Sequence, residues 1–312
     1  MKIVFFGTPE IAAVVLKRII ASEHEVIAVV TQPDRAKGRG RTAVFSPVKE
    51  LALENGIKVL QPEKVGDDTF LDSLETLGAE LHAVTAYAQK LPLRLLEMAP
   101  KGCVNVHPSL LPRYRGAIPI PAAILNGDEV SGVTIMRMAE KMDAGDIILQ
   151  REIPLDADET TQTLEKKAAA AGAELLLEAL NAIEAGTAAA VPQDDSKSTY
   201  VKQLKKEDGL IDFNKSAVRI EREIRAYTPW PGSFTYLGDQ VFKVWRAAVC
   251  EESGGSETVP GTVVYADKRN VKIKCGESLL SLLEVQLQGK KRMGIEEFIR
   301  GKKIEQGYIF GK

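Results

Sequence analysis

The chain is poor in the residues from which metal and disulfide sites are made. Its three cysteines, Cys103, Cys250 and Cys275, stand far apart and form no CxxC pair, which excludes a disulfide framework and suits a reducing cytoplasm. Its three histidines, His24, His82 and His107, are too few for a histidine-rich metal centre, and no metal is expected. No apolar run reaches the roughly 18 residues that span a bilayer. The opening Met1-Lys2-Ile3-Val4-Phe5-Phe6-Gly7 is too short and too quickly broken for a signal peptide, so it reads as a first strand. Nucleotide signatures are missing too. Gly7-Thr8-Pro9 ends that strand without the GxGxxG spacing, and the Gly-Lys-Lys stretches at 289–291 and 301–303 lack the rest of a P-loop. Neither GxSxG nor HExxH occurs, and no internal repeat is found.

What is present is an ordinary soluble composition, 45% apolar and 27% charged, enough to fill two cores. A length of 312 residues allows one large α/β domain and a smaller one. In the first half, short β-rich runs alternate with helical patterns, the signature of a mostly parallel, doubly wound sheet with crossover helices. The pattern predicts strands over Lys2–Phe6, Val26–Val30, Lys58–Leu60, His82–Thr85 and Cys103–Val106. It predicts helices over Ile11–Ala21, Val48–Asn55, Phe70–Leu77 and Leu93–Met98. Two extended stretches, Val133–Met138 and Asp146–Pro154, flank a glycine-containing turn, and a long helix follows from about Thr160 to Ala185 with a threonine cap.

Residues 187–205 are small and polar without an apolar face, and read as a linker between a domain of residues 1–186 and one of residues 206–312. Beyond it, Val241–Val249, Gly261–Tyr265, Val271–Lys274 and Leu279–Gln286 read as strands of a small β-barrel-like domain with one helix near Ile220–Tyr227. The net charge of −2 hides an asymmetry: residues 201–312 hold 20 Lys and Arg against 15 Asp and Glu, and the residues before them 21 against 28. A basic second half fits a phosphate backbone, and equally a solvated surface.

The chemistry-bearing residues gather around His107. Cys103-Val104-Asn105-Val106-His107-Pro108 starts as a buried strand and leaves it into a proline-constrained loop. Residues two apart on a strand share a face, so Asn105 and His107 project together, at the strand end where α/β sheets bind ligands. An amide beside an imidazole can stabilise an oxyanion and move a proton, the needs of acyl transfer. An isolated Asn-x-His is also the pattern of a hydrogen-bonded core pair. Met142-Asp143-Ala144-Gly145-Asp146 then places a carboxylate in the tight turn between two extended stretches, a spot for a catalytic group or for a turn residue bonded to local backbone. Arg35, Lys37, Arg39 and Arg41, interleaved with Gly38 and Gly40, form a basic loop able to track phosphates.

In combination and in order, Asn105-x-His107-Pro-Ser-Leu-Leu-Pro112, Arg113-Tyr114-Arg115-Gly116-Ala117 and Asp143-Ala-Gly-Asp146 resemble the 10-formyltetrahydrofolate-dependent formyltransferase family. The likeness is fullest with its branch that acts on methionyl initiator tRNA. It runs from Phe6-Gly7-Thr8-Pro9 through Thr31-Gln32-Pro33-Asp34-Arg35 to Thr228-Pro229-Trp230-Pro231-Gly232 and Val244-Trp245. The resemblance implies formyl transfer from the folate carrier to the methionyl amine in translation initiation, by a cytoplasmic monomer. It implies Asn105, His107 and Asp143 as catalytic residues. It places Ser109, Leu110, Leu111, Pro112 and Tyr87 at the folate site, and Arg35, Lys37, Arg39 and Arg41 on the tRNA. In that chemistry Asp143 is expected to keep His107 protonated, so that imidazolium and Asn105 amide both donate to the oxyanion. A formyltransferase acting on nucleotide-linked amino sugars, and a non-catalytic folate or RNA binder, are the rivals.

The chain departs from the family pattern in places. Ala88 and Lys90 stand where Ala-Tyr-Gly-Gln-Ile-Leu-Pro is usual, and Lys141-Met142 replaces Gly-Leu before Asp143. Gly116-Ala117-Ile118-Pro119-Ile120-Pro121-Ala122 replaces Gly-Ala-Ala-Pro-Ile and a polar pair.

Overall fold

An apolar strand buried on both faces sets the centre of the fold. In β1 (Lys2–Gly7) only Lys2 is exposed, the pattern of a parallel strand covered on both sides. The computed structural model describes residues 1–37, 42–252 and 257–311. After β1 the chain forms α1 (Glu10–Ile20), β2 (Glu25–Val30), a hairpin of β3 (Arg35–Lys37) and β4 (Thr42–Val44), α2 (Pro47–Glu54) and β5 (Lys58–Leu60). It returns through α3 (Asp68–Glu75), β6 (Leu81–Thr85), α4 (Leu93–Met98) and β7 (Cys103–His107). Next come β8 (Arg115–Gly116), α5 (Pro119–Asn126), β9 (Val130–Arg137), β10 (Ile147–Pro154), α6 (Thr161–Glu184) and β11 (Tyr200–Val201).

The main sheet has seven strands in the order β10-β9-β7-β6-β1-β2-β5. β5, β2, β1, β6 and β7 run parallel, and β9 and β10 add antiparallel at one edge. The chain builds outward from β1 to β2 and β5, then restarts at β6 on the other side. The strand order therefore reverses between β1 and β6, whose carboxyl ends Gly7 and Thr85 are register partners. Crevices at such reversals are where doubly wound sheets take ligands. Gly7 permits the close approach there: a Cβ on it would lie 2.7 Å from that of Ala12 and 2.9 Å from the Thr85 carbonyl oxygen.

Helix starts follow local chemistry. Ser46 caps α2 by accepting from the Lys49 N–H at 3.1 Å, with Pro47 as first residue, where its missing N–H costs nothing. Thr160 caps α6, its hydroxyl accepting from the Thr163 N–H while the Thr163 hydroxyl accepts from the Thr160 N–H. Along α6, Leu164, Ala168, Leu175, Leu176, Ala179, Leu180 and Ile183 are buried at helical spacing. At Gly172 a Cβ would lie 2.8 Å from Val106 Cγ1. Val106 therefore faces α6, and by strand alternation Asn105 and His107 face the other way.

The chain divides into two compact units: Met1–Pro119, Val130–Pro154 and Glu165–Val201 in the first, and Ile120–Glu129, Leu155–Leu164 and Lys202–Lys312 in the second. The second contains α7 (Ala217–Ala226), β12 (Ser233–Leu237), β13 (Gln240–Cys250), β14 (Val263–Ala266), β15 (Val271–Lys274), β16 (Leu279–Leu287), β17 (Met293–Gly294) and α8 (Ile295–Gly301). Its antiparallel sheet runs β12-β13-β16-β15-β14, with β17 on β16. Phe242 centres its core, stacked on Phe310 at 5.6 Å and tilted against Phe298 at 5.3 Å.

The structure adds to the sequence pattern in several places. The basic loop is a β-hairpin on either side of residues 38–41. α5 has its two prolines, Pro119 and Pro121, in its first turn, where backbone donors lack helical partners anyway. The stretch read as a linker is bonded into the first unit as far as Val201. Val191 exchanges both backbone hydrogen bonds with Ile147, and β11 pairs in parallel with β8.

Candidate active site

β7 ends at the switch side of the sheet and presents Asn105 and His107 on one face. Asn105 pairs with Val84 of β6 and Met136 of β9 through its backbone. Its half-buried side-chain amide takes no partner among the described residues. His107 is 4% exposed. Its Nε2 lies 3.0 Å from the Tyr114 carbonyl, so Nε2–H donates to that oxygen and the neutral ring keeps its lone pair on Nδ1. The Asp143 Oδ2 stands 3.8 Å from Nδ1, a gap too long for a hydrogen bond. Burial pushes the His107 imidazole below its ordinary value, with the Asp143 carboxylate and the Tyr114 carbonyl only partly opposing it. The expectation that Asp143 favours the protonated ring meets an opposing influence: desolvation is the larger effect on this buried imidazole, with the carboxylate 3.8 Å away. The site sets an imidazole nitrogen and a carboxylate oxygen side by side.

Asp143 sits in the turn between β9 and β10 with φ 50°, a left-handed conformation that side chains rarely adopt. Its Oδ2 accepts from the Gly116 N–H at 2.8 Å. Gly116 itself has φ 113°, and a Cβ there would lie 2.3 Å from the Val201 carbonyl oxygen, so only glycine brings this N–H to the carboxylate. The turn is also bonded by Gln193, and Gln193 by a fully buried Arg115. Neither had been singled out from sequence. Arg115 lay within a recognisable motif, but Gln193 sits in a small polar stretch whose only signal is where the chain folds back.

The loop after His107 is committed internally. Ser109 is fully buried and its hydroxyl donates to the Arg113 carbonyl at 2.7 Å. Thr134 donates to the Ser109 carbonyl and accepts from the Leu111 N–H, while Gln150 donates to the Leu111 carbonyl at 2.9 Å. Leu111 is buried; Leu110 and Pro112 are half-buried, with Leu110 packed over Gly132. The loop is therefore a rigid wall with apolar projections. Tyr87 lies in the core, edge-on to Phe6 at 5.6 Å, and burial pushes its phenol up to about 12. It is flanked by Ala86 and Ala88, both exposed and both at positive φ, 48° and 69°. Their backbone N–H and C=O groups take no partner among the described residues. Such a set of free peptide edges suits a flat heterocycle with alternating donors and acceptors.

Of the basic hairpin, Arg35 is exposed on β3. Lys37 lies on the same strand, and Arg39 and Arg41 fall outside the described residues. The base of the hairpin is tied down by the Asp34–Lys49 ion pair, with Gln61 bonded to both.

The second unit has an open cleft of about 460 Å³ between β12, β13 and the end of β16. Phe234 and Tyr236 line it with centroids 6.1 Å apart, beside Lys206, Lys243, Gln286 and Gln288, and none of its lining residues is acidic. Next to it, Trp245 lies under Lys243 at 5.4 Å and Arg292 at 4.9 Å. Among the described residues there is no cluster able to hold a metal ion and no helix long and apolar enough to cross a membrane.

Comparison with known proteins covers the whole chain. Residues 1–180 match the model of the formyl transferase family and residues 203–303 that of the formyl transferase C-terminal domain. A methionyl-tRNA formyltransferase of Lachnospira eligens is 48% identical over 315 residues, covering all of both chains. One of Agathobacter rectalis is 45% identical over 310 residues, covering 99% of each. Among solved structures, the sugar 3N-formyl transferase WlaRD, determined in the presence of dTDP and 5-N-formyl-THF, superposes with a TM-score of 0.68 at 20% identity over 93% of this chain and 99% of that one. At that identity it shows the shared fold.

Proposed function

The chain belongs to the formyl transferase family, and from that premise we propose that it moves a formyl group from 10-formyltetrahydrofolate to the α-amine of methionyl initiator tRNA, for translation initiation. The observation that supports this reading is His107 Nδ1 standing 3.8 Å from Asp143 Oδ2 at the end of β7, the strand that also carries Asn105, in a chain 45–48% identical to these tRNA formyltransferases from end to end. In this reading residues 1–186, with the segment bonded onto them as far as Val201, carry the catalysis and residues 206–312 hold tRNA, in a cytoplasmic monomer.

The two acceptors, His107 Nδ1 and Asp143 Oδ2, bracket a place for the hydrogens of the incoming amine. Its nitrogen bonds to the formyl carbon, and the carbonyl electron pair moves to oxygen, where the Asn105 amide N–H donates. The amine proton passes to Nδ1 of His107, and Asp143 stabilises the imidazolium formed. That proton then goes to N10 as the carbon–N10 bond breaks, so a formyl group and a hydrogen exchange places with no change in oxidation state. The free peptide edges of Ala86 and Ala88 and the apolar wall of Leu110 and Pro112 suit the pterin. Holding both substrates contributes proximity, worth up to roughly 7–11 kcal/mol.

On the acceptor side, Arg35 and the rest of the basic hairpin reach the nucleic acid. The cleft of the second unit supports a tRNA contact there: two lysines and no carboxylate for phosphates, Phe234 and Tyr236 for ribose or base faces. The test is incubation with 10-formyltetrahydrofolate and methionyl initiator tRNA, scored by N-formylmethionine, with nucleotide-linked amino sugars in parallel. Formylation of the sugars alone, or of neither acceptor, overturns the reading.

A further inference from the structure

The Asp143 turn protrudes, with Met142 62% exposed and the Lys141 side chain 59% exposed, yet Asp143 keeps one unusual backbone conformation. What bonds it there is the segment 191–201. The Gln193 amide nitrogen donates both hydrogens into the turn, to the Asp143 carbonyl at 2.8 Å and the Gly145 carbonyl at 2.7 Å. Its Oε1 accepts from Arg115 Nε at 3.1 Å and Nη2 at 2.8 Å. Donors face two carbonyls and the acceptor faces a guanidinium, so only one orientation of the amide satisfies both sides. Arg115, with 0% exposure, also donates to Tyr200 OH at 3.0 Å and to Asp195 Oδ1 at 2.7 Å. The other Asp195 oxygen accepts from Lys141 at 2.9 Å, at the foot of the turn. The circuit closes through β8 and β11, since β11 pairs with Arg115 and Gly116 and the Gly116 N–H holds the Asp143 carboxylate.

We propose that Gln193 is a positioning residue for formyl transfer: its amide clamps the Asp143 turn so that the carboxylate stays beside His107, and Arg115 locks the clamp. This rests on the reading of Asp143 as catalytic. It also gives Lys141 a role, as the tether that ties the turn to Asp195 where the family usually has glycine.

Gln193→Glu separates the clamp from its lock. It keeps an acceptor for Arg115 and removes the two donors to the turn, setting a carboxylate oxygen against two carbonyls. Gln193→Met fills the same volume but removes the Arg115 acceptor along with the two donors, so it tests clamp and lock together if the new charge prevents folding. In full-length protein with a wild-type thermal midpoint, either variant should lower kcat about 10–100-fold, the scale of an ångström of misplacement. KM for folate and for tRNA should stay within about twofold. In histidine-labelled protein, the NMR titration midpoint of His107 should move down as Asp143 withdraws. The groups facing that ring are Asp143 and the Tyr114 carbonyl, so a purely structural bridge leaves the midpoint in place. A folded variant with kcat within twofold of wild type and an unmoved His107 midpoint overturns the proposal. Asp143→Asn, run alongside, distinguishes the two levels. If it too turns over normally, the catalytic reading falls and the positioning role with it; if it alone is inactive, only the positioning role falls.

Discussion

The two units differ in where most of their functional polar groups lie. In the first, charge and amide are drawn inward and used up: Arg115 and Ser109 are fully buried, and Gln193, Thr134 and Gln150 spend their donors on turns and loops around β7. All three histidines belong to this unit, and burial lowers each of them. In the second, Lys206, Lys243, Tyr236 and Trp245 stay at an open cleft, over a core of phenylalanine and aliphatic residues. A site that does chemistry needs groups fixed before the substrate arrives, because reorganisation adds to the barrier. A surface that holds a polyanion gains from accessible, hydrated cations. The contrast is between polar groups fixed in place in one unit and accessible cations in the other.

The largest expected effect tests the preorganised side. Asn105→Ala removes the one amide left unpartnered at the site, and His107→Ala the base. Each should lower kcat by about 10²–10³-fold with little change in thermal midpoint, in line with loss of an oxyanion donor or base. Near-normal turnover in folded His107→Ala protein breaks the comparison outright.

Acid should then separate the units. His82 is buried in the first, its Nδ1 bonded to the Leu95 carbonyl, and desolvation pushes it down to about 4. The unfolded chain protonates near its ordinary value of about 6.5, so between those values the unfolded state binds the extra proton. Stability is full above pH 6.5 and falls as pH drops toward 4, by about 2 kcal/mol at pH 5 from this residue. Urea unfolding at pH 7 and pH 5, followed by far-UV circular dichroism, reads this; His82→Gln should remove about 2 kcal/mol of the difference and leave the part due to His24 and His107. Trp230 and Trp245 both lie in the second unit, so tryptophan fluorescence should shift less than circular dichroism. Equal shifts, unaffected by His82→Gln, contradict the assignment.

A smaller effect sharpens the binding side. The double substitution Lys206→Ala, Lys243→Ala should weaken tRNA about tenfold and reduce the log–log salt slope by about one or two. Saturating kcat should hold within twofold. A slope unchanged by the pair shows the cleft to be away from the nucleic acid.

The smallest effect concerns a strained alanine in the first unit. Ala88 holds φ 69° at a position where the family usually has glycine. Ala88→Gly relieves that conformation at some cost in unfolded-chain entropy, for a net gain of roughly 0.5–1 kcal/mol. A destabilised Ala88→Gly protein shows that the methyl group packs to advantage.

Elements with a regular apolar period were legible in the sequence. β1, β2, β6 and β7, α1, α4 and α6, and the strands from β13 to β16 all follow from burial periodicity, which is local. So did Asn105 and His107 as a pair, because strand alternation alone puts them on one face. α5 was hidden by its prolines, β3 and β4 by their glycine-rich, charged tip, and α8 by its brevity. The desolvation that lowers His107 depends on everything packed around the ring, which no local pattern shows.

The sequence by itself thus determined the fold class, the family and the candidate residues for the chemistry, since these rest on period, order and side-chain type. Tertiary structure alone decided how those residues are poised. The pairing of Gln193 with a turn 50 residues earlier in the chain and the burial of Arg115 and His107 all arise from long-range contact. Residue identity sets what a group can donate or accept; only the folded surroundings set which partner it meets and how much water it loses.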